Sequence, residues 1–274
     1  MSDLVRVVDA RYELLDTPFR VASNDEAVGP LLNELLGHFA SRRAARSANT
    51  LVIRQPDERR PQFSLFRDCQ TVYRGEERQG AVVALLAELN RRAIESFDTF
   101  AAHAAVIEIG GRAIAMPAES GHGKTTLTAA AVMSGFGYLS DEALCIDPQN
   151  QRVRPYSRPL LLSDHSRDLL GIESVVVRSA QEGAVVPSDL GRVVTDELPL
   201  EHVVFPEYGH DAATLEPVGA GVVMAELLKM SFNNYKDPKG AFELIASVAG
   251  RVKGWRLTYG DPFEASALMA AELG

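Results

Sequence analysis

Arg112-Ala113-Ile114-Ala115-Met116-Pro117-Ala118-Glu119-Ser120-Gly121-His122-Gly123-Lys124-Thr125-Thr126-Leu127 is the stretch that decides how this chain is read. Its first five residues are apolar enough for a strand, and the chain then runs straight into a glycine-containing loop. Ala118–Thr125 matches the phosphate-binding pattern G-x-x-x-x-G-K-[ST] at every fixed position except the first, where Ala118 replaces glycine. Gly121 and Gly123 let the backbone wrap so that successive N–H groups point at phosphate. Lys124 can neutralise β- and γ-phosphates, and the Thr125 hydroxyl can ligate magnesium. A helix predicted over 126–134, stopped by Gly135, presents its positive end to the same phosphates. Glu119, Ser120, His122 and Thr126 complete the predicted nucleotide-binding set, His122 through its backbone N–H. The bland alternative is a glycine-rich turn with an exposed lysine.

Working outward, Ala104–Ile109 and Arg112–Met116 read as two strands, with Gly110-Gly111 supplying the positive φ of a tight hairpin. A loop entered from a hairpin implies a mixed or antiparallel sheet beside it. Tyr138–Ser140 is a short strand ending at Asp141-Glu142, and strands at 143–146 and 152–154 bracket a turn at 147–150. A carboxylate at a strand end next to a phosphate loop is placed to orient and deprotonate a nucleophile. Asp141 is therefore the candidate base. The plainer reading is a cap or a solvated turn acid. Farther on, 222–230 and 240–249 read as helices and 255–259 as a strand. Asp261-Pro262 caps and opens a last helix.

Ahead of this region, 1–97 reads as a small α+β domain. Strands are predicted at 5–15, 19–22, 50–54, 62–66 and 71–74. One helix follows Ser23-Asn24-Asp25-Glu26, expected to give its N-cap and acidic first turn. A second carries Ala81, Val82, Leu85, Leu86 and Leu89. No catalytic motif falls in it. The second domain, 98–274, carries the phosphate loop.

The chain has 274 residues, 46% hydrophobic and 24% charged, which suits two globular domains. Lys+Arg number 28 against 37 Asp+Glu, a net charge of −9. With no basic, aromatic-laced face, this argues against a nucleic-acid partner. The run Arg42-Arg43-Ala44-Ala45-Arg46 reads as a solvated helix end. Cys69 and Cys145 have no metal-site spacing and read as reduced thiols. No apolar stretch approaches the roughly 20 residues that span a bilayer, and residues 1–6 lack the features of a signal peptide. A cytoplasmic protein with no membrane partner is expected.

His103-Ala104, the hairpin, Glu119–Leu127 and Leu139-Ser140-Asp141-Glu142 occur in one order with tight spacing. In this the chain resembles the core of HPr kinase/phosphorylase and a broader related group that includes serine kinases of bacterial peptides, among them lasso-peptide precursors. Val153–Pro159 and Thr258-Tyr259-Gly260-Asp261 look like the related group. The resemblance covers roughly 99–165 closely and the remainder loosely. It implies an α/β (α+β) kinase domain with the mixed sheet of the HPr kinase/PEP carboxykinase type. It implies ATP and Mg2+ as cofactors, and a peptide or small-protein substrate phosphorylated on serine. Asp141 aligns with the first of two family aspartates, which acts near magnesium and as base on the attacking serine. Glu142 stands where the family has the second aspartate, a departure that lengthens the arm. His103 aligns with a histidine beside the phosphates; a buried histidine at a strand start is its other reading. A glycine- and arginine-containing signature of HPr kinase proper is absent, which weakens HPr itself as substrate and the reverse phosphorylase reaction.

Arg154 and Arg158 are placed to reach a phosphate or an acidic substrate, or to line a solvated edge. Ser231–Tyr235 either lines a substrate cleft or ends a helix. Two alternatives to a peptide kinase remain: a kinase for a small-molecule hydroxyl, and a nucleotide-binding regulator with little transfer activity. The N-terminal domain is expected to recognise substrate or self-associate.

Overall fold

A computed structural model describes residues 6–41, 49–58, 61–68, 70–119 and 123–274. Ser120, Gly121 and His122, the basic run at 42–46 and Cys69 lie outside the described residues. The chain divides into two compact units: Met1–Ser96 with Leu161–Val186, and Phe97–Leu160 with Pro187–Gly274.

The first unit opens with β1 (Val8–Leu14), β2 (Thr17–Ser23), α1 (Val28–Leu36), β3 (Asn49–Arg54), β4 (Phe63–Arg67), β5 (Gln70–Gly75) and α2 (Arg78–Ser96). The five strands form one sheet in sequence order. Only β2 and β3 run parallel, because α1 lies between them in the chain. The expected cap of α1 is different. β2 runs through Ser23, the helix starts after Ala27 without a side-chain cap, and its first turn holds no acid. Asp25 instead accepts the Ala27 N–H and pairs with Arg78.

The second unit begins with β6 (Phe100–Ile109), β7 (Arg112–Pro117), α3 (Lys124–Met133), β8 (Gly137–Ser140), β9 (Ala143–Ile146) and β10 (Arg152–Arg154). The chain then supplies β11 (Leu160–Ser163), α4 (Asp164–Leu170), β12 (Val177–Arg178) and β13 (Glu182–Val185). These strands make a small sheet ordered β11-β13-β12. From Leu161 to Val186 this segment groups with the first unit, whereas a continuous 98–274 boundary assigns it to the second. The reason is local: β12 meets α2, where the Arg178 N–H donates to Gln79 Oε1 at 2.8 Å.

Then follow α5 (Pro187–Leu190), β14 (Leu198–Tyr208), β15 (Thr214–Val218), α6 (Ala220–Lys229), α7 (Pro238–Ala249), β16 (Lys253–Tyr259) and α8 (Pro262–Leu273). The main sheet is ordered β10-β9-β6-β7-β14-β16-β15, with β8 also on β6. β7 is antiparallel to β6 and parallel to β14, and β14 is parallel to β16. The sheet is therefore mixed, as the hairpin implied. Gly110 and Gly111 turn that hairpin at φ 58° and 79°. β6 and β7 are buried almost throughout, as central strands covered on both faces must be. α6 and α7 bring Val223, Leu227, Leu244 and Ile245 to the core that also holds Val106, Ala115 and Val203. α3 rests on β6 and α8. Gly135, at φ 105°, ends α3's last turn.

Candidate active site

β6 is long enough to carry two short strands end to end on one edge. Its outer half pairs with β8 and its inner half with β9. Asp141 and Glu142 form the break between them. The register holds across that break, with Val106 opposite Ser140 and His103 opposite Ala143. Ser140 makes the break: its Oγ accepts the N–H groups of Glu142 at 3.2 Å and Ala143 at 3.0 Å. A serine turn thus satisfies backbone donors that a continuous ladder would have paired.

Lys124 opens α3 and is only 6% exposed. Its Nζ lies 2.6 Å from His103 Nε2 and 3.1 Å from the carbonyl of Ala118. An ammonium only donates, so His103 Nε2 must accept. Its Nδ1 then carries the proton, donated to the Glu142 carbonyl at 3.2 Å. Burial, followed by the Lys124 charge, lowers the His103 pKa, consistent with this neutral tautomer. Burial also lowers the Lys124 pKa, to about 8, against the pull of Glu142 and Asp141. Phe232 sets its ring edgewise to His103 at 5.5 Å.

Asp141 is 1% exposed. The Tyr138 hydroxyl donates to its Oδ1 at 3.2 Å, sharing that proton with the Arg158 carbonyl at 2.9 Å. Arg158 bridges the acid pair. Its Nη2 donates to Glu142 Oε2 at 2.8 Å, and its Nε stands 3.1 Å from Asp141 Oδ1 as an ion pair without hydrogen-bond direction. Asp141's pKa is nonetheless raised: burial outweighs the lowering by Arg158, and Glu142 adds to the rise. Arg158's own pKa rises because the two carboxylates outweigh its burial. Two carboxylates, one guanidinium and one ammonium balance in charge around a neutral imidazole.

The structure thus brings together Lys124, His103, Asp141, Glu142 and Arg158. Thr125 and Thr126 lie in the first turn of α3 and are partly exposed. Glu119 points outward and pairs with Lys229 at 2.9 Å, both 57% exposed, a pair of small energetic weight. Gly123 adopts φ 75°, in the region that favours glycine. Ala118 is buried, and its carbonyl holds Lys124. Arg154 lies in β10 opposite Cys145, which is buried.

Four further residues shape the site. Ser140 and Tyr138 adjoin the acid pair but have no charge to draw attention. Phe232 and Asn233 lie more than 120 residues from β6 in the chain. The Asn233 side chain accepts the Ala101 N–H and donates to the carbonyls of Phe97 and Thr99, fixing the start of β6. The 231–235 segment, read as a cleft lining or a helix end, is a strap along β6: the His103 N–H donates to the Met230 carbonyl and the Phe232 N–H to that of Ala101.

Phosphate and magnesium can be tested against these groups. Among the described residues no set of three or more His, Cys, Asp or Glu side chains forms a metal cage. Magnesium in nucleotide sites needs none, being held by one or two carboxylates and by phosphate oxygens. Thr125 and Asp141 are donors of the right type, and a side chain at Gly123 would crowd the approach to α3. No family model matches the chain, and no curated protein matches it. Among solved structures it is similar to the HPr(Ser) kinase/phosphatase from Coxiella burnetii, at 11% identity over 63% of this chain and 95% of that one, with a TM-score of 0.36. Among the described residues no helix is long and apolar enough to cross a membrane.

Proposed function

We propose that the protein is a P-loop phosphotransferase that uses ATP and Mg2+ to phosphorylate a serine hydroxyl of a peptide or small protein in the cytoplasm. The observation that carries the reading is the meeting of Lys124, at the start of α3, with His103 and the Asp141-Glu142-Arg158 cluster. The serine acceptor and the peptide class rest on the sequence resemblance.

In this reading Lys124 leaves His103 and the Ala118 carbonyl to meet the β- and γ-phosphates. His103, neutral, holds Lys124 in place until phosphate replaces it as the partner. Thr125 and Asp141 would hold magnesium, which when bound neutralises phosphate charge and orients the γ-phosphoryl group. The acceptor oxygen bonds to the γ-phosphorus as its bond to the β-bridging oxygen breaks. The acceptor's proton passes to Asp141, the carboxylate at the strand end beside the loop. Arg158 holds both acids and must loosen its grip on Asp141 for this transfer. That requirement supports a second reading: a nucleotide-binding regulator in which Arg158 keeps Asp141 covered.

The test is calorimetry with MgATP and transfer from γ-labelled ATP to serine-containing candidate peptides. Wild-type protein should bind and transfer, and Lys124→Ala should lose both affinity and rate. Binding without transfer supports the regulator. Unchanged ATP affinity in Lys124→Ala contradicts both readings.

A further inference from the structure

The C-terminal ends of the parallel strands β7, β14 and β16 lie side by side, and ligands of α/β sheets collect at such ends. β7 leads into the phosphate loop, β14 ends in Tyr208 and β16 in Tyr259. The Gly209 and His210 N–H groups both donate to the Tyr259 carbonyl, at 2.9 and 3.1 Å, which ties the two strand ends together. Tyr208 is 56% exposed and stands edgewise to Tyr259 at 5.6 Å.

Tyr259 is 1% exposed. Its hydroxyl is buried and has no hydrogen-bond partner among the described residues. A buried hydroxyl without a partner is costly and calls for a reason. Its position supplies one. A Cβ built on Gly123 would lie 3.1 Å from that hydroxyl and 3.8 Å from Tyr208 Cβ. Gly123 is the N-cap of α3, a ten-residue helix. The hydroxyl therefore stands against the helix end whose first N–H groups have no partner within the helix.

Resting on the nucleotide-binding reading above, we infer that Tyr259 is a further phosphate ligand of the site: its hydroxyl donates to a phosphate oxygen held at the N-terminus of α3. Burial raises the phenol's pKa to about 12, so it remains a donor at any working pH. Gly123 then has two functions. It takes the positive φ of the turn, and its lack of a side chain lets the hydroxyl stand against the start of α3.

Tyr259→Phe removes one oxygen and nothing else. In the ligand-free protein it should melt at or above the wild-type temperature, since it deletes an unsatisfied buried group. MgATP affinity should fall about tenfold or more, as for a hydrogen bond to a charged acceptor. Inorganic tripolyphosphate, which has no base or ribose, should show the same deficit. A deficit seen with ATP alone would place the contact on the nucleoside and overturn the assignment. So would wild-type affinity in Tyr259→Phe. A variant that melts below wild type or does not fold would mean that the hydroxyl is structural, and would also overturn it. Lys124→Ala is the control: if it loses binding while Tyr259→Phe does not, only the tyrosine inference fails. If the wild type binds neither ligand, both fail.

Discussion

Lys124 keeps its charge conditionally. With a pKa lowered to about 8 by burial, its ammonium begins to lose its proton just above neutrality. Phosphate binding favours the charged form and so raises that pKa in the complex. Above about pH 8 binding must therefore take up a proton, and affinity must fall as pH rises, by at most about tenfold per pH unit. Calorimetry of MgATP binding between pH 7 and 9.5, in two buffers of different ionisation heat, reads both effects. Affinity independent of pH over that range, with no proton uptake, would mean that Lys124 does not meet phosphate. Arg158 teaches a different lesson at this scale. As one of two arginines in a proline-rich stretch it looks like a solvated edge. The structure turns it onto Asp141 and Glu142, where it offsets the charge of two adjacent acids.

At the scale of elements, the site depends on where β6 begins, and Asn233 fixes that. Replacing Asn233 by Ala strips the side-chain partner from the buried N–H of Ala101 and from the Thr99 carbonyl, and leaves the Phe97 carbonyl to Lys236 Nζ at 2.9 Å. A cost of about 3 kcal/mol follows, with the losses less than additive. Urea unfolding measures it, and a loss under about 0.5 kcal/mol would contradict this role. Much at this scale was legible. The hairpin, α3 with its Gly135 stop, β8 ending at Asp141 and the Asp261-capped α8 follow from turn and cap chemistry, which is local. The stretch between 155 and 221 was not. β14 is a central strand of the main sheet, yet its sequence Leu198–Tyr208 contains Pro199, Glu201, His202, Pro206 and Glu207, which are uncommon in a central strand. Pro206 is tolerated because its registered partner is Leu257 of β16, while the β7 pairing stops at Val203. A bulge between Leu200 and His202 absorbs the irregularity near the strand's start. The strap at 230–233 was missed for a related reason: its bonds join residues far apart in the chain, and no local pattern announces them.

At the scale of the molecule, a net charge of −9 surrounds the site proposed to hold polyphosphate. Attraction must then be local, from the α3 terminus, Lys124 and the proposed Tyr259 hydroxyl, because the overall field repels the ligand. The same balance separates nucleotide binding from nucleic-acid binding, which calls for an extended basic face. In the proposed function this local cluster performs phosphoryl transfer with Asp141 as base. Asp141→Asn keeps the side chain's size and removes its charge and basicity. The transfer rate from γ-labelled ATP to an acceptor peptide should fall about 10²–10⁴-fold. ATP affinity should change little, since losing an acid near the phosphates also removes a repulsion. A variant that transfers phosphate at close to the wild-type rate, or one whose only defect is a lower melting temperature, would contradict the account.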